Sequence, residues 1–431
     1  MTGYTFAEKA LARAAGVSSA RAGDILDVKP NIYLSHDNTA PIRKIFEKIG
    51  APKVLHPERM AVTLDHAVPA PTTEHAINHA EIREWVKLQG VGHFFEVGRG
   101  ICHQVLSEEA VVLPGEVVMG SDSHTPHFGW MGAFGMGVGR TEMAAMWATG
   151  ELWLRVPETL KVVLTGKPRP GVTAKDVTLR LMKDKTVGGG QYRAVEISGD
   201  TVQYWSLDEL PVMPNMMAEF GAMCAYIAPD ARVLEAIEAR RARISPTEGE
   251  RNPYRMREYS PIYPDADAVY DEVYTLDVST LEPQVALPHV PDNVVNLREA
   301  VGTPIQQAWI GTCTGGRLSD LEAAAEVVKG KRVQCRFVVI PASSEVLLEA
   351  TRNGTLATLL EAGVTISTPG CGPCMGNHQG VPAPNEATIT TGSRNFKGRM
   401  GTSEATIYLS NPYVVAASAL AGAIADPETY L

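Results

Sequence analysis

The sequence predicts an α/β protein of three domains with largely parallel sheets. Two observations carry that prediction: short apolar runs alternate with stretches of helical periodicity, and polar residues cluster directly after the runs. Ligands in open α/β sheets bind beyond the carboxyl ends of strands, so such clusters fall where a site belongs. With 431 residues, 45% of them hydrophobic and 20% charged, the chain is too long for one core and suits domains of about 125 to 155 residues.

The first element, Phe6 to Ala15, has apolar residues at helical spacing and stops at Gly16, as a short amphipathic helix does. Met60–Leu64, Val117–Gly120 and Leu160–Leu164 read as strands, and Ala80–Gln89 and Glu142–Leu154 as helices. Asp65-His66 follows the first run and Asp122-Ser-His124 the second; Thr312-Cys313-Thr follows Ala308-Trp-Ile310. One boundary is expected at Val156-Pro157. Another is expected in Leu281–Pro291, whose three prolines cannot sustain a helix or a central strand. The domains are then 1–157, 158–282 and 283–431. In the last, Ser319-Asp-Leu-Glu322 is a capping-box pattern opening a helix to Gly330, and Val333–Ile340 is a strand. Gly135-Met-Gly137-Val-Gly139 lacks the spacing of a nucleotide-binding fingerprint and reads as close backbone packing.

A net charge of −10 without any Lys/Arg-rich run argues against nucleic acid or a membrane surface as the main partner. The start lacks a basic segment followed by an apolar one, and no stretch reaches the roughly 18 apolar residues of a membrane span. A cytoplasmic protein acting on small molecules is expected. Six cysteines are too few for a disulfide scaffold.

Three of them share an unusual context. Cys371 and Cys374 stand in Gly370-Cys-Gly-Pro-Cys-Met-Gly376, and Cys313 lies far upstream in Gly311-Thr-Cys-Thr-Gly-Gly316. A C-x-x-C pair plus one distant thiolate leaves a metal site one ligand short of closed. An iron–sulfur cube held so keeps one iron open as a Lewis acid. The residues alone leave zinc or a redox dithiol open as well. Cys102, Cys224 and Cys335 read as ordinary buried thiols, Cys102 least firmly because it adjoins His103.

Three histidines have polar company: Asp65-His66, Cys102-His103-Gln, and Ser121-Asp122-Ser-His124-Thr. A carboxylate bound to imidazole fixes its tautomer and raises its pKa, which prepares it for proton transfer near neutral pH. Asn215 and Glu219, four apart, would share a face if helical. Ser393-Arg394-Asn-Phe-Lys-Gly-Arg399 offers two arginines suited to carboxylate capture.

Taken in order, Asp65-His66, Gly98–Val105, Gly120–Thr125, Cys313-Thr, Cys371–Gly376 and Arg394–Arg399 resemble the aconitase superfamily from about residue 5 to the end. The large subunits of 3-isopropylmalate dehydratase and homoaconitase are the nearest pattern. The resemblance implies three aconitase-type α/β domains around a cleft holding a 4Fe–4S cluster on Cys313, Cys371 and Cys374. It implies the pairs Asp65–His66, Asp122–His103 and Glu219–His124 as catalytic groups, with Ser123, Asn215, Arg394 and Arg399 binding substrate. The activity implied is that of a hydro-lyase isomerising a hydroxy di- or tricarboxylic acid by dehydration and rehydration. The substrate is 3-isopropylmalate first, then homocitrate, citrate, or an acid such as citraconate or dimethylmaleate. An iron sensor or RNA-binding relative is the non-enzyme alternative, and the acidic balance weighs against it. Gly315 and Ser393 stand where the family usually has asparagine, which bears on how cluster and substrate are held. Single-chain members continue into a mobile fourth domain bearing a serine base; this chain stops at Leu431, so a separate small subunit carrying that swivelling domain is expected as partner.

Overall fold

The computed structural model describes residues 3–431. Its framework is three sheets in chain order. The first is five-stranded and wholly parallel, with His93–Phe95, Met60–Thr63, Ile32–Ser35, Val117–Gly120 and Phe134–Gly137 side by side. The second has four parallel strands: Cys224–Ile227, Ala194–Ser198, Thr159–Thr165 and Glu272–Asp277. The third has seven, ordered Val294–Asn296, Gln284–Ala286, Thr406–Leu409, Ala387–Thr390, Gln307–Ile310, Arg336–Val339 and Thr365–Ile366, antiparallel only around Gln284–Ala286. The predicted α/β class with largely parallel sheets is what the chain forms. No helix among the described residues is long and apolar enough to cross a membrane.

The opening helix Phe6–Ala15 begins at a reciprocal cap between Thr5 and Glu8 and ends on Gly16 at φ 71°. Phe6 stacks on Tyr226 at 3.8 Å, tying this helix to the second sheet. The helical turn Thr125–Met131 packs between the first two sheets. There Gly135 has no room for a side chain, since a Cβ would meet the Thr125 carbonyl oxygen at 2.1 Å; the glycine run is close packing, as read. One apolar core crosses the expected divisions, joining Leu34 and Phe128 to Leu160 and Met213 and to Trp309 and Leu409. The third sheet has a further core of its own around Ile310, Leu321, Val339 and Val415. The chain after Ile227 returns to the first sheet, where Arg257 clamps Glu116 at 2.5 and 2.6 Å.

Three local expectations are corrected. The helix expected over Glu142–Leu154 runs Arg140–Thr149 and ends at Gly150, φ 79°; Leu152–Arg155 then forms a strand on Ile25–Val28. The glycine stops a helix that apolar periodicity alone would prolong. The proline-bearing segment does hold an inner strand, Gln284–Ala286, because Pro283 and Pro288 bracket it and leave its N–H groups free to pair. The helix expected to open at Ser319 spans Leu318–Val328; Asp320, rather than Glu322, accepts the Arg317 N–H at 2.9 Å.

Candidate active site

The loops after the carboxyl ends of the first and third sheets face one another across a cleft of about 620 Å³. On the first wall, Asp65 and His66 follow the strand Met60–Thr63. Asp65 Oδ1 lies 2.6 Å from His66 Nδ1, and its Oδ2 accepts the Cys102 N–H at 2.7 Å. The carboxylate keeps the proton on Nδ1 and leaves Nε2 to the cleft, 3.2 Å from Asp122 Oδ2. Burial pulls the His66 pKa down, but Cys371, Asp65 and Asp122 together lift it well above the ordinary value. Behind them Asp37 accepts the N–H groups of Asp65 and His66 and contacts His79 Nε2 at 2.7 Å. Despite burial, those partners hold its carboxyl far below the usual range.

Asp122 is the hub of this wall. Its Oδ1 accepts the His124 N–H at 2.8 Å and lies 3.4 Å from His124 Nδ1 and 3.6 Å from His103 Nε2. The expected Asp122–His103 pair is thus the loosest of the three contacts, since Asp122 is oriented by His124 and His66. His103 Nε2 is buried without a hydrogen-bond partner, and burial pushes its pKa down to about 4. His124 Nε2 reaches Glu219 Oε1 at 2.8 Å and Ser393 Oγ at 3.1 Å. Burial opposes charge on both members of the His124–Glu219 pair. Their mutual attraction wins, raising the His124 pKa and, with help from Arg394, lowering that of Glu219.

The facing wall carries the thiols. Cys313 follows the strand Gln307–Ile310, and the β-branched Thr312 before it sits at φ 72°, a conformation such residues rarely adopt. Cys371 and Cys374 flank Pro373 in the turn after Thr365–Ile366. Between them Gly372 sits at φ 58°, and a Cβ there would strike Ile340 Cδ1 at 2.2 Å. Arg399 Nη2 lies 3.2 Å from Cys374 Sγ. Burial raises the Cys374 pKa, yet Arg399 and the other cations nearby outweigh it and bring the thiol below its usual value; at Cys371 burial outweighs His66 and pushes the thiol up to about 12. Arg394 follows the strand Ala387–Thr390, donating Nε to Glu219 at 2.5 Å and Nη2 to Ser123 Oγ at 2.8 Å.

Cys313, Cys371 and Cys374 line the cleft with His66, His103, Asp122, Ser123, His124, Arg394 and Arg399. Asp65 and Glu219 stand behind their histidines. Asn215 departs from its expected place on the wall: fully buried, its amide spans His127 Nδ1 at 3.0 Å and Cys313 Sγ at 3.4 Å. Its helix, Val212–Met216, ends before Glu219, so the two share a turn and not one helical face. Gly315 also lies off the cleft, against Thr391, where a Cβ would meet the threonine Cβ at 2.3 Å. Ser393 takes a direct place at His124.

Two groups escaped the sequence reading. His36 lines the cleft and stacks on His66 at 3.8 Å; its signal was Ser35-His36-Asp37 directly after an apolar run. Arg317, 2% exposed, donates to the Cys313 carbonyl at 2.5 Å. Only the fold reveals that contact.

Among the described residues, one group of three or more potential ligands has its ligand atoms all within 4.8 Å of one another: His36, Asp37, Asp65 and His66. Asp37 there already accepts backbone and histidine N–H groups, so this is a hydrogen-bonded brace. The three thiols are not so tightly gathered. One tetrahedral zinc would hold all three about 3.8 Å apart, closer than they lie together here.

The profile of the Aconitase family (aconitate hydratase) matches residues 8–422. The chain belongs to the aconitase family. It is a hydro-lyase of that family. It is 45% identical over 432 residues to 3-isopropylmalate dehydratase large subunit 1 of Methanopyrus kandleri, covering 100% of both chains. It is 44% identical over 431 residues to the homoaconitase large subunit of Thermus thermophilus, covering 99% of this chain and 98% of that one. Among solved structures, the holo-form of Thermococcus kodakaraensis aconitase X matches 86% of this chain and 84% of its own at 16% identity, with a TM-score of 0.46.

Proposed function

We propose that this chain is the cluster-bearing large subunit of a dehydratase that isomerises a hydroxy di- or tricarboxylic acid, with 3-isopropylmalate as substrate. The observation that carries the reading is the convergence, in one cleft, of three thiols from two distant segments, carboxylate-braced histidines and two arginines. Cys313, Cys371 and Cys374 would hold a 4Fe–4S cluster, consistent with their shared place along the cleft and with the close packing at Gly372. When bound, such a cluster supplies an open iron that polarises the substrate hydroxyl.

This chain's residues do the rest. Arg394 and Arg399 hold the substrate carboxylates, and Ser123 fixes the angle of Arg394. His66, braced at Nδ1 by Asp65, presents an Nε2 able to give a proton to a departing hydroxide, whereas His124 is held at Nε2 by Glu219 and turns Nδ1 towards Asp122. His103, kept neutral by burial, accepts or relays a proton through Asp122. Asn215 acts by positioning Cys313. Ile101, Met136, Val138 and Met223 also line the cleft and suit an alkyl-bearing acid. Arg140 on the same rim would suit a third carboxylate, and for that reason homocitrate is the second reading. The large-subunit names of the relatives support a small subunit that closes the cleft and brings the carbon-proton base. The reading places the enzyme in the cytoplasm.

The test is turnover after anaerobic iron–sulfur reconstitution, with and without the small subunit, following conjugated alkenoic acid by ultraviolet absorbance. Activity on 3-isopropylmalate is expected only with both subunits. Turnover by the chain alone on the ordinary enzyme scale of about 1 to 1,000 per second would sink the two-subunit reading. Preference for homocitrate would move the assignment to homoaconitase.

A further inference from the structure

A second cavity, of about 440 Å³, lies between the second and third sheets on the far side of the catalytic loops. We propose that it is a binding site for a small zwitterion, an α-amino acid with an apolar side chain. Its floor adjoins the cleft. Thr314 and Thr391 line it, and Thr314 Oγ1 donates to the Thr391 carbonyl at 2.9 Å. Lys175, 3% exposed, donates from Nζ to the carbonyls of Thr391 at 2.8 Å and Gly392 at 2.5 Å. An ammonium has three donors, so one remains.

Both signs of charge face this space. Lys175 and Asp320 both line it, and no ion pair joins them. First-turn residues of three helices, Ala174–Lys185, Leu318–Val328 and Pro412–Ala421, also line it and bring partial positive charge. Asp320 is partly buried, with one oxygen engaged by the Arg317 N–H. Burial outweighs the attraction of Arg317 for Asp320 and of Glu219 and Asp320 for Lys175, pushing Lys175 down to about 8 and Asp320 up to about 7. Tyr204, Trp205 and Tyr413 supply an apolar wall. Trp205 is 1% exposed, and its indole N–H finds no acceptor.

These features select the ligand. A carboxylate suits the spare Lys175 donor, the indole N–H and the helix ends. An ammonium suits Asp320. Lys167 and Arg169 also line the cavity but are exposed, where solvent screens them. A di- or tricarboxylate of the kind the catalytic cleft would hold brings a second negative charge against Asp320 and Glu209, and a simple amine leaves the buried Lys175 unanswered. The site is thereby distinct in chemistry from the cleft, and it stands whether or not the substrate reading above is correct.

Calorimetric titration of the full chain with leucine, phenylalanine and alanine tests it, beside the matching amines, carboxylic acids and dicarboxylates. Submillimolar binding of an apolar amino acid is expected, at least about tenfold tighter than its amine or its deaminated acid, the ordinary worth of a lost charged hydrogen bond. Asp320→Asn should remove that preference over the deaminated acid, and Ala323→Phe, which fills the cavity, should abolish binding. Equal affinity for the deaminated acid, or unchanged amino-acid binding in Ala323→Phe, overturns the proposal; so does no binding at all. Should either variant fail to fold, the comparison of analogues on the wild-type chain decides alone.

Discussion

The two walls of the candidate cleft are built on opposite principles. On the first, the acids are braced: Asp37 by four N–H donors, Asp65 by His66 and the Cys102 N–H, and Glu219 Oε1 by His124 and Arg394. On the thiol wall, Thr312 is held at φ 72° and Cys371 and Cys313 are buried thiols whose pKa values burial has raised. The first wall is satisfied by its own hydrogen bonds apart from His36 Nδ1, His103 Nε2 and Glu219 Oε2, whereas the second holds a strained backbone and buried thiols whose cost a bound group would relieve. Under the proposed function the first wall would be a proton-handling network, oriented before substrate arrives, and the second a cofactor cradle, shaped for its occupant.

The largest effect should come from breaking the second wall. Cys313→Ser is expected to lose iron and sulfide after anaerobic reconstitution, and all activity with them, while thermal unfolding of the unreconstituted chain barely moves. Wild-type iron and sulfide content in that variant would show that the thiols do not act together. Next is Arg399→Lys, in which a point charge replaces a planar fork beside Cys374. A fall in kcat/KM of about 100-fold is expected in the two-subunit enzyme, from the loss of bidentate geometry. Unchanged kinetics would return Arg399 to a structural role.

The smallest prediction sharpens the contrast on the first wall. His103 is buried neutral, and its pKa falls from the ordinary 6.5 to about 4 on folding. A depressed folded pKa means that the unfolded chain takes up the proton first as pH drops. The stabilisation is therefore complete above pH 6.5 and is lost as pH falls towards 4. By pH 5 this amounts to about 2 kcal/mol. Urea unfolding of wild type and His103→Asn at pH 7.5 and 5 should show the pH dependence shrinking by about that amount in the variant. An identical pH dependence would mean that His103 is not buried neutral.

Much of this was legible along the chain. Apolar runs followed at once by Asp65-His66, Asp122-Ser-His124 and Thr312-Cys313 mark strands whose carboxyl ends carry polar groups, because strand burial and loop chemistry are both written locally. The Phe6–Ala15 helix was readable for the same reason, with its cap and terminal glycine inside the segment. The helix expected to reach Leu154 was not, since one glycine outweighs an apolar period that a following strand continues. The pairing of His66 with Asp65 and of His124 with Glu219, proposed as acid–base partners, came from resemblance, and the second of them spans 95 residues.

What the sequence determined by itself is therefore the inventory: which residues carry charge, thiol or imidazole, and which of them end a strand. Tertiary structure alone decided their company. It set Asp122 among three histidines, withdrew Asn215 behind Cys313 and placed Ser393 on His124. It also brought Arg317 beneath the thiol wall, and left Lys175 and Asp320 facing one cavity unpaired. Such assignments depend on loops from different sheets meeting at distances of about 3 Å, where hydrogen bonds form or fail. Local periodicity carries no information on that scale, because the partners are chosen by how three sheets pack and not by the residues next in line.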